Sequence, residues 1–160
     1  MLPTRQETVG PFSLRMSSQG EGDDVLLLHG FPETLQSWCA VAPLLSKRFR
    51  VHAFDWPAYG GSLRPDGFDD TPRQYAAVLL EVVRRLRRPH LVASDIGMLP
   101  ALLVALEHPE SVARVVAMSG QAFFRPQHTA WELAAMRMPL IGELLVHGFG
   151  RLAIRSALRR

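Results

Sequence analysis

Short apolar runs alternate with amphipathic segments along most of the chain. Segments with helical periodicity separate the apolar runs, which is the arrangement of βα units in a parallel sheet. The pattern predicts an α/β fold with a doubly wound, mostly parallel sheet. Before these βα units, residues 9–16 are predicted to form an antiparallel edge strand, which a glycine-rich turn at 19–24 follows. Four runs have the length of buried strands, at residues 25–28, 51–54, 91–94 and 112–118.

Three helices are predicted among these strands. The clearest begins at Thr71, since Thr71 and Gln74 have the spacing of a capping box and Pro72 occupies the first helical position, which tolerates it. The other two are predicted at residues 34–45 and 97–107. In the helix that begins at Thr71, apolar residues recur at helical intervals and form one buried stripe. The stripe contains Tyr75, Val78, Leu79, Val82, Val83 and Leu86.

The pattern changes after Gly120, where no further strand-like run occurs. Residues 129–138 and 140–160 have helical character and are separated by a proline. We therefore predict two parts, a sheet-containing core at residues 1–120 and the start of a separate helical layer at residues 121–160.

Composition narrows the class of protein. The 160 residues are 48% hydrophobic and 21% charged, and Cys39 is the only cysteine, which excludes intramolecular disulfides and cysteine-rich metal sites. No apolar run approaches the roughly 20 residues of a membrane span, and no signal peptide is recognisable. We expect a cytoplasmic protein with no membrane partner, no metal and no cofactor.

The net charge of +3 comes largely from two arginine clusters. Both lie in helix-like segments without interleaved aromatic residues, whereas nucleic-acid surfaces usually need wider clustering. We expect solvent-exposed helix faces and no nucleic-acid partner. The clusters contain Arg84, Arg85, Arg87 and Arg88, and Arg151, Arg155, Arg159 and Arg160.

A candidate nucleophile lies where the third parallel strand runs into the next helix. The segment Ala-Ser-Asp-Ile-Gly at residues 93–97 places small residues two positions before and two after Asp95. A nucleophile elbow needs this spacing, because its strained turn brings the strand and helix backbones close together. Centring the pattern on Ser94 would put Val92 and Ile96 at the tight positions, so the register selects Asp95. The alternative is that Asp95 only caps the following helix.

Two upstream motifs favour the enzymatic interpretation. His-Gly-Phe-Pro at residues 29–32 follows the first parallel strand, and Asp-Trp-Pro-Ala-Tyr-Gly-Gly-Ser at residues 55–62 follows the second. In this order and spacing, the two motifs and the elbow resemble the α/β-hydrolase fold superfamily, in particular its epoxide hydrolase and haloalkane dehalogenase branch. The resemblance covers residues 9–120, and it extends loosely to residues 121–160 as the beginning of a helical cap.

The resemblance implies that Asp95 is the nucleophile and that the backbone N–H groups of Phe31 and Ile96 form an oxyanion hole. A carboxylate is ionised at neutral pH, so it attacks a saturated carbon bearing an epoxide or halide leaving group without a base. The product is an ester, which water activated by a histidine cleaves while the two N–H groups hold the oxyanion. We expect a small apolar organic substrate.

The resemblance also implies that the catalytic histidine and its supporting acid come from later sequence. Residues 119–121 offer no carboxylate for the acid, and neither His128 nor His147 is a convincing base. We therefore expect this chain of 160 residues not to turn over.

Three elbow positions depart from the family's common pattern. Ser94 stands where a histidine often precedes the nucleophile, and Met98 replaces a second glycine. Ile96 has neither a ring N–H for a halide nor a charge for a substrate carboxylate. The sequence therefore supports epoxide chemistry better than halide chemistry.

Other candidate residues are expected to have roles other than catalysis. Trp38 and Trp131 are predicted as pocket-lining aromatics, with core packing as the alternative. Asp55 is expected to be a structural turn residue.

Two further function classes stay open. One is a non-catalytic module that self-associates, or binds a complementing C-terminal segment, through a sheet edge at residues 112–118. The other is an esterase that carries Asp95 at its elbow.

Overall fold

A computed structural model of the protein describes residues 1–120, and these residues form a six-stranded sheet flanked by helices. The strands are β1 (Arg5–Val9), β2 (Phe12–Gln19), β3 (Asp23–Leu28), β4 (Phe49–Phe54), β5 (His90–Ser94) and β6 (Arg114–Met118). The α-helices are α1 (Ala42–Leu45), α2 (Pro72–Val83) and α3 (Met98–Glu107). Short 3-10 helices occur at Leu35–Trp38, Asp95–Gly97 and Pro109–Ser111. The predicted helical layer at 121–160, with Trp131, His128 and His147, lies outside the described residues.

The strand order is β1-β2-β4-β3-β5-β6. Strands β3, β4, β5 and β6 run parallel, whereas β1 and β2 pair antiparallel to their neighbours. Leu28 near the end of β3 pairs with Ala93 near the end of β5, so the loops that follow the two strands leave the sheet at the same edge. This topology confirms the predicted α/β fold and its mostly parallel sheet.

Successive side chains of a strand point to opposite faces of the sheet, and the buried strands are apolar at successive positions, so both faces of the sheet are apolar. Leu26, Leu28 and Ala93 belong to the larger core cluster, which also contains the apolar stripe of α2 and residues of α3. Val25 and Leu27 point to the other face and belong to a smaller cluster. The sheet is therefore packed on both faces and carries the loops at its carboxyl edge.

Helix α2 begins as its sequence predicts. The Thr71 side chain accepts a hydrogen bond from the Gln74 N–H at 3.3 Å, and Pro72 is the first helical residue. The predicted stripe is buried along the helix, except that Leu86 lies beyond its end and is only partly buried.

The single strand predicted at residues 9–16 is wrong. Val9 pairs with Phe12, so the chain reverses at Gly10-Pro11 and forms the hairpin β1–β2. Gly10 adopts φ +56°, in the left-handed region that glycine tolerates best, and proline has no N–H to donate to a strand neighbour. The glycine-rich turn predicted at 19–24 is present between β2 and β3.

The helix predicted at residues 34–45 is interrupted. A 3-10 helix at Leu35–Trp38 is followed by the single turn α1, which begins at Ala42. Pro43 explains the break, because a proline inside a continuous helix would lack the N–H for the preceding turn and clash with its carbonyl. The strand predicted to begin at residue 112 begins at Arg114, after a short 3-10 helix.

The first arginine cluster is exposed but does not lie on a helix face. Its members directly follow Val83, the last residue of α2, and form the turn toward β5. The second cluster lies outside the described residues. No helix within residues 1–120 combines the length and apolar content needed to cross a membrane.

Candidate active site

Asp95 stands at a sharp turn between β5 and α3. Its φ is +49°, a left-handed conformation that costs a non-glycine residue about 1 kcal/mol. A Cβ atom at Gly97 would lie 3.0 Å from the His29 carbonyl oxygen and 3.1 Å from Leu28 Cβ, so the second position after Asp95 needs glycine. The small residue two positions before it, Ala93, is fully buried. This is the backbone form that the elbow pattern predicts.

The loop after β3 holds the Asp95 carboxylate. The Phe31 N–H donates a hydrogen bond of 2.8 Å to Asp95 Oδ2. A Cβ atom at Gly30 would lie 2.7 Å from Asp95 Cβ, so the close approach of the loop depends on glycine. The structure thus brings Phe31 and Asp95 together, although they are 64 positions apart in the chain.

The second predicted oxyanion donor, Ile96, directly follows Asp95 in the 3-10 helix. Among the described residues its N–H makes no hydrogen bond to the Asp95 carboxylate. The Ile96 side chain is half-buried and packs against the larger core cluster. The roles of Asp95, Phe31 and Ile96 in a reaction stay predictions.

His29 is a neutral structural residue of the loop. The Trp56 N–H donates to His29 Nε2 at 3.2 Å, so Nδ1 carries the ring proton and donates it to the Gly30 carbonyl at 2.8 Å. Burial lowers the pKa of His29 and keeps the ring uncharged. Because both ring nitrogens are occupied, His29 shapes the loop and is not available as a base.

Asp55 organises the loop after β4. Its buried carboxylate accepts hydrogen bonds from the Leu35 N–H, the Gly61 N–H and the Arg15 side chain. Its backbone carbonyl accepts a further bond from the Ser62 hydroxyl. With its oxygens occupied by structural donors, Asp55 is the turn residue that the sequence predicts.

Three residues near Asp95 have no role that the sequence predicts. The Tyr59 ring centroid lies 6.4 Å from that of Phe31. Burial raises the pKa of Tyr59, and the charges of Asp70 and Asp95 add to this effect. The Glu33 carboxylate accepts from the Gly30 N–H at 3.2 Å. Tyr59 and Glu33 lie in or beside the two upstream motifs, which is the signal that could have identified them.

Gly120 is the third of these residues. A Cβ atom there would lie 2.8 Å from the Asp95 carbonyl oxygen and 2.8 Å from Met98 Cβ. Met98 is itself 7% exposed and belongs to the core. The Met98 side chain, which departs from the family pattern, therefore packs in the core beside Gly120, where a larger residue would not fit.

Trp38 lies in the smaller core cluster. It is 8% exposed and packs with Leu2, Leu35 and Ala42, and this position favours the core interpretation over the pocket interpretation. Within the described part of the chain, no group of three or more histidine, cysteine, aspartate or glutamate side chains is arranged to hold a metal ion.

The arrangement at Asp95 therefore has one carboxylate oxygen fixed by a backbone donor. The other oxygen, Oδ1, receives no hydrogen bond from residues 1–120. A carboxylate held in this way presents a lone pair for attack, and the fixed oxygen lies where a backbone N–H would stabilise an oxyanion during ester cleavage.

Comparison with known proteins gives related sequences. A fluoroacetate dehalogenase from Burkholderia sp is 40% identical over 110 residues, which span 65% of this chain and 36% of that protein. A pimeloyl-[acyl-carrier protein] methyl ester esterase from Aeromonas hydrophila is 31% identical over 116 residues, which span 70% of this chain and 43% of that protein. The chain thus spans less than half the length of these two relatives.

Solved structures have the same fold. The crystal structure of an epoxide hydrolase from Vigna radiata superposes with a TM-score of 0.82 over 99% of this chain and 57% of that one, at 24% identity. The family model described as alpha/beta hydrolase fold matches residues 24–151, which is most of the chain. The elbow at Asp95 and the loop that carries Phe31 both fall within this match. The chain belongs to the alpha/beta hydrolase fold family.

Proposed function

We propose that this chain carries the nucleophile of a hydrolase that cleaves a small apolar epoxide or alkyl halide through a covalent ester. The observation that supports this most directly is the contact between the Phe31 N–H and Oδ2 of Asp95, at a residue held with φ +49°. A residue that only capped α3 would need neither the left-handed backbone nor a donor from the loop after β3.

In the proposed first step, Asp95 Oδ1 attacks the saturated carbon of the substrate. The carbon–oxygen bond of the epoxide breaks and its oxygen takes up a proton from water, or the carbon–halogen bond breaks and halide leaves. In the second step, water adds to the carboxyl carbon of the ester. The oxyanion then forms on Oδ2, where the N–H groups of Phe31 and Ile96 stabilise it. When the oxyanion collapses, the bond between the carboxyl carbon and Oδ1 breaks, and the product alcohol leaves with Oδ1 and takes up the proton removed from the water.

The second step needs a base that activates the attacking water. Among the described residues, His29 and His52 have both ring nitrogens engaged in hydrogen bonds. Neither ring is therefore free to activate water at Asp95.

The surroundings of Asp95 favour an uncharged substrate. Phe31 is 48% exposed beside the carboxylate, and Ile96 follows it with an apolar side chain. Fluoroacetate, which gives the Burkholderia relative its name, is an anion, and neither residue offers a charge to bind its carboxylate. Epoxide chemistry therefore remains the preferred form of the proposal.

Intact-protein mass spectrometry with styrene oxide tests the proposal. All variants carry Cys39→Ser, because the exposed Cys39 thiol also reacts with epoxides. We expect one added substrate mass at Asp95, and no addition in Asp95→Asn. Asp66→Asn, which changes an exposed aspartate, is the matched control and should be labelled like the parent. Equal labelling of Asp95→Asn and the parent would remove Asp95 from the mechanism.

An esterase is the second candidate, favoured by the methyl ester esterase among the relatives. The carboxylate of Asp95 offers no evident advantage over serine for acyl transfer, so this candidate ranks lower. Release of phenol from a phenyl ester that depends on Asp95, without labelling by styrene oxide, would favour the esterase over the epoxide hydrolase.

A non-catalytic associating module is the third candidate. It is favoured by β6, which lies at one end of the strand order and exposes Val116 and Met118. Self-association that increases with concentration would favour this candidate.

A further inference from the structure

A second group of chemically capable side chains lies on the sheet, away from Asp95. The Ser18 hydroxyl is 2.8 Å from His52 Nδ1, and His52 Nε2 is 2.9 Å from Asp24 Oδ1. The three residues come from β2, β4 and β3, and Ser18 is the direct cross-strand partner of His52. Asp24 lies near the start of β3, whereas the Asp95 site lies beyond its end.

The buried carboxylate fixes the direction of its own hydrogen bond with His52. Asp24 has no exposed side-chain surface and also accepts bonds from the Arg50 side chain and the Arg87 N–H. Burial disfavours its charge, but these donors and His52 outweigh burial and hold the pKa of Asp24 well below its usual range. Asp24 is therefore an acceptor only, so His52 Nε2 carries the proton.

When His52 carries a single ring proton, on Nε2, Nδ1 is the acceptor and the Ser18 hydroxyl is the donor. This is the arrangement of an activated nucleophile, in which a hydroxyl donates to a base that a third group orients. The order of groups matches that of a serine hydrolase triad, with the two ring nitrogens exchanged.

Ser18 and His52 both line a cavity of about 200 Å³. Arg5 and Arg50 also line it, but Arg5 pairs with Glu7 and Arg50 with Asp24. Arg85, another lining residue, has no ion-pair partner among residues 1–120. The cavity therefore has one uncompensated positive charge, which favours a small ligand with one negative charge.

We propose that Ser18 is a second nucleophile of this protein, with His52 as its base and Asp24 as the positioning residue, and that it accepts acyl groups bearing a carboxylate. The Ser18 oxygen adds to the carbonyl carbon of an activated ester, and its proton moves to His52 Nδ1. The ester bond to the leaving group breaks, and the leaving alcohol takes up that proton. Water then hydrolyses the acyl-Ser18 ester and releases a carboxylic acid.

The test is acylation by the mono-4-nitrophenyl ester of terephthalic acid, with release of 4-nitrophenolate followed by absorbance. Variants carry Cys39→Ser, since the exposed thiol is also acylated. We expect an initial burst of nitrophenolate and one added acyl mass, located at Ser18 by peptide fragmentation. In Ser18→Ala we expect both the burst and the added mass at this position to disappear.

Two matched variants separate a reactive serine from a structural one. Ser17→Ala changes the neighbouring serine of β2, which is 4% exposed and points to the opposite face of the sheet, and it should be acylated like the parent. His52→Gln should slow acylation by about 100-fold, as loss of a general base does. Circular dichroism identifies the variants that keep the fold, so that a loss of labelling reports reactivity.

Two more variants test whether Arg85 recognises the carboxylate of the ester and whether the reaction of Ser18 is independent of Asp95. Arg85→Gln should reduce acylation by the carboxylated ester but leave that by the uncarboxylated benzoate ester unchanged. Asp95→Asn should leave the Ser18 burst unchanged. Labelling of folded Ser18→Ala equal to that of the parent, acylation confined to surface amines, or an unchanged rate in folded His52→Gln would overturn the proposal.

Discussion

At Asp24, one fully buried carboxylate accepts hydrogen bonds from donors on β4 and on the turn after α2. Removing its charge should therefore destabilise the fold. We expect Asp24→Asn to lower the free energy of unfolding at pH 7 by about 2 kcal/mol, the scale of hydrogen bonds to a charged group. Urea unfolding followed by circular dichroism measures this loss.

The same substitution should change how stability depends on pH. The folded pKa of Asp24 lies below its ordinary value of 3.8, so its contribution is present above pH 4 and is lost as the pH falls through and below that value. Between pH 5 and pH 3, Asp24→Asn should lose less stability than the parent. Asp66→Asn, at an exposed position, should retain the parental pH dependence. Identical pH dependence in the parent and Asp24→Asn would contradict the assignment.

Single residues differ in how far the sequence predicts their role. Asp95 could be found because the small residues around it are neighbours in the chain. The grouping of Ser18, Asp24 and His52 could not, because it depends on the pairing register of three strands that local sequence does not specify. Trp38 could not be assigned either, since pocket and core positions favour the same aromatic side chain.

At the scale of elements, α2 is the helix whose packing the sequence predicts best. Leu79, which belongs to its apolar stripe, is fully buried. We expect Leu79→Ala to lower the free energy of unfolding by about 2–5 kcal/mol, because it leaves a cavity beside the sheet. Leu106→Ala is the matched control on α3, where Leu106 is 78% exposed, and it should change stability by at most about 0.5 kcal/mol. Equal effects of the two substitutions in urea unfolding would contradict the assigned burial.

The parallel strands could be predicted because strands buried on both faces form continuous apolar runs. The hairpin at Gly10 is not predictable from the pattern, because the polar and apolar alternation continues on both sides of the turn and resembles one strand. The break before α1 depends on Pro43 alone, in a segment whose apolar spacing otherwise suits a continuous helix. Element type was thus predictable from periodicity, whereas element boundaries depended on single turn residues.

At the scale of the whole molecule, the described sheet ends at β6. Val116 is 50% exposed and Met118 is 36% exposed on this strand. An exposed apolar edge strand offers unpaired backbone groups to another chain, and a lysine on such a strand opposes pairing. We expect the chain to self-associate with increasing concentration, and Val116→Lys to shift it toward monomer.

Sedimentation velocity at several concentrations measures this association. Leu106→Lys adds the same charge at an exposed position of α3 and should sediment like the parent. A parent chain that stays monomeric at every concentration would remove the edge strand as a docking surface. The family and its fold could be predicted from three spaced motifs, but the state of this edge follows from strand order across the whole sheet.

The left-handed backbone at position 95 makes thermostability and reactivity favour different residues there. Glycine adopts φ +49° without steric cost, so a library selected only for resistance to heat should enrich glycine at this position. Such a selection would remove the reactive carboxylate while it improved the scaffold. Directed evolution of this protein therefore needs a screen that reports chemistry in every round.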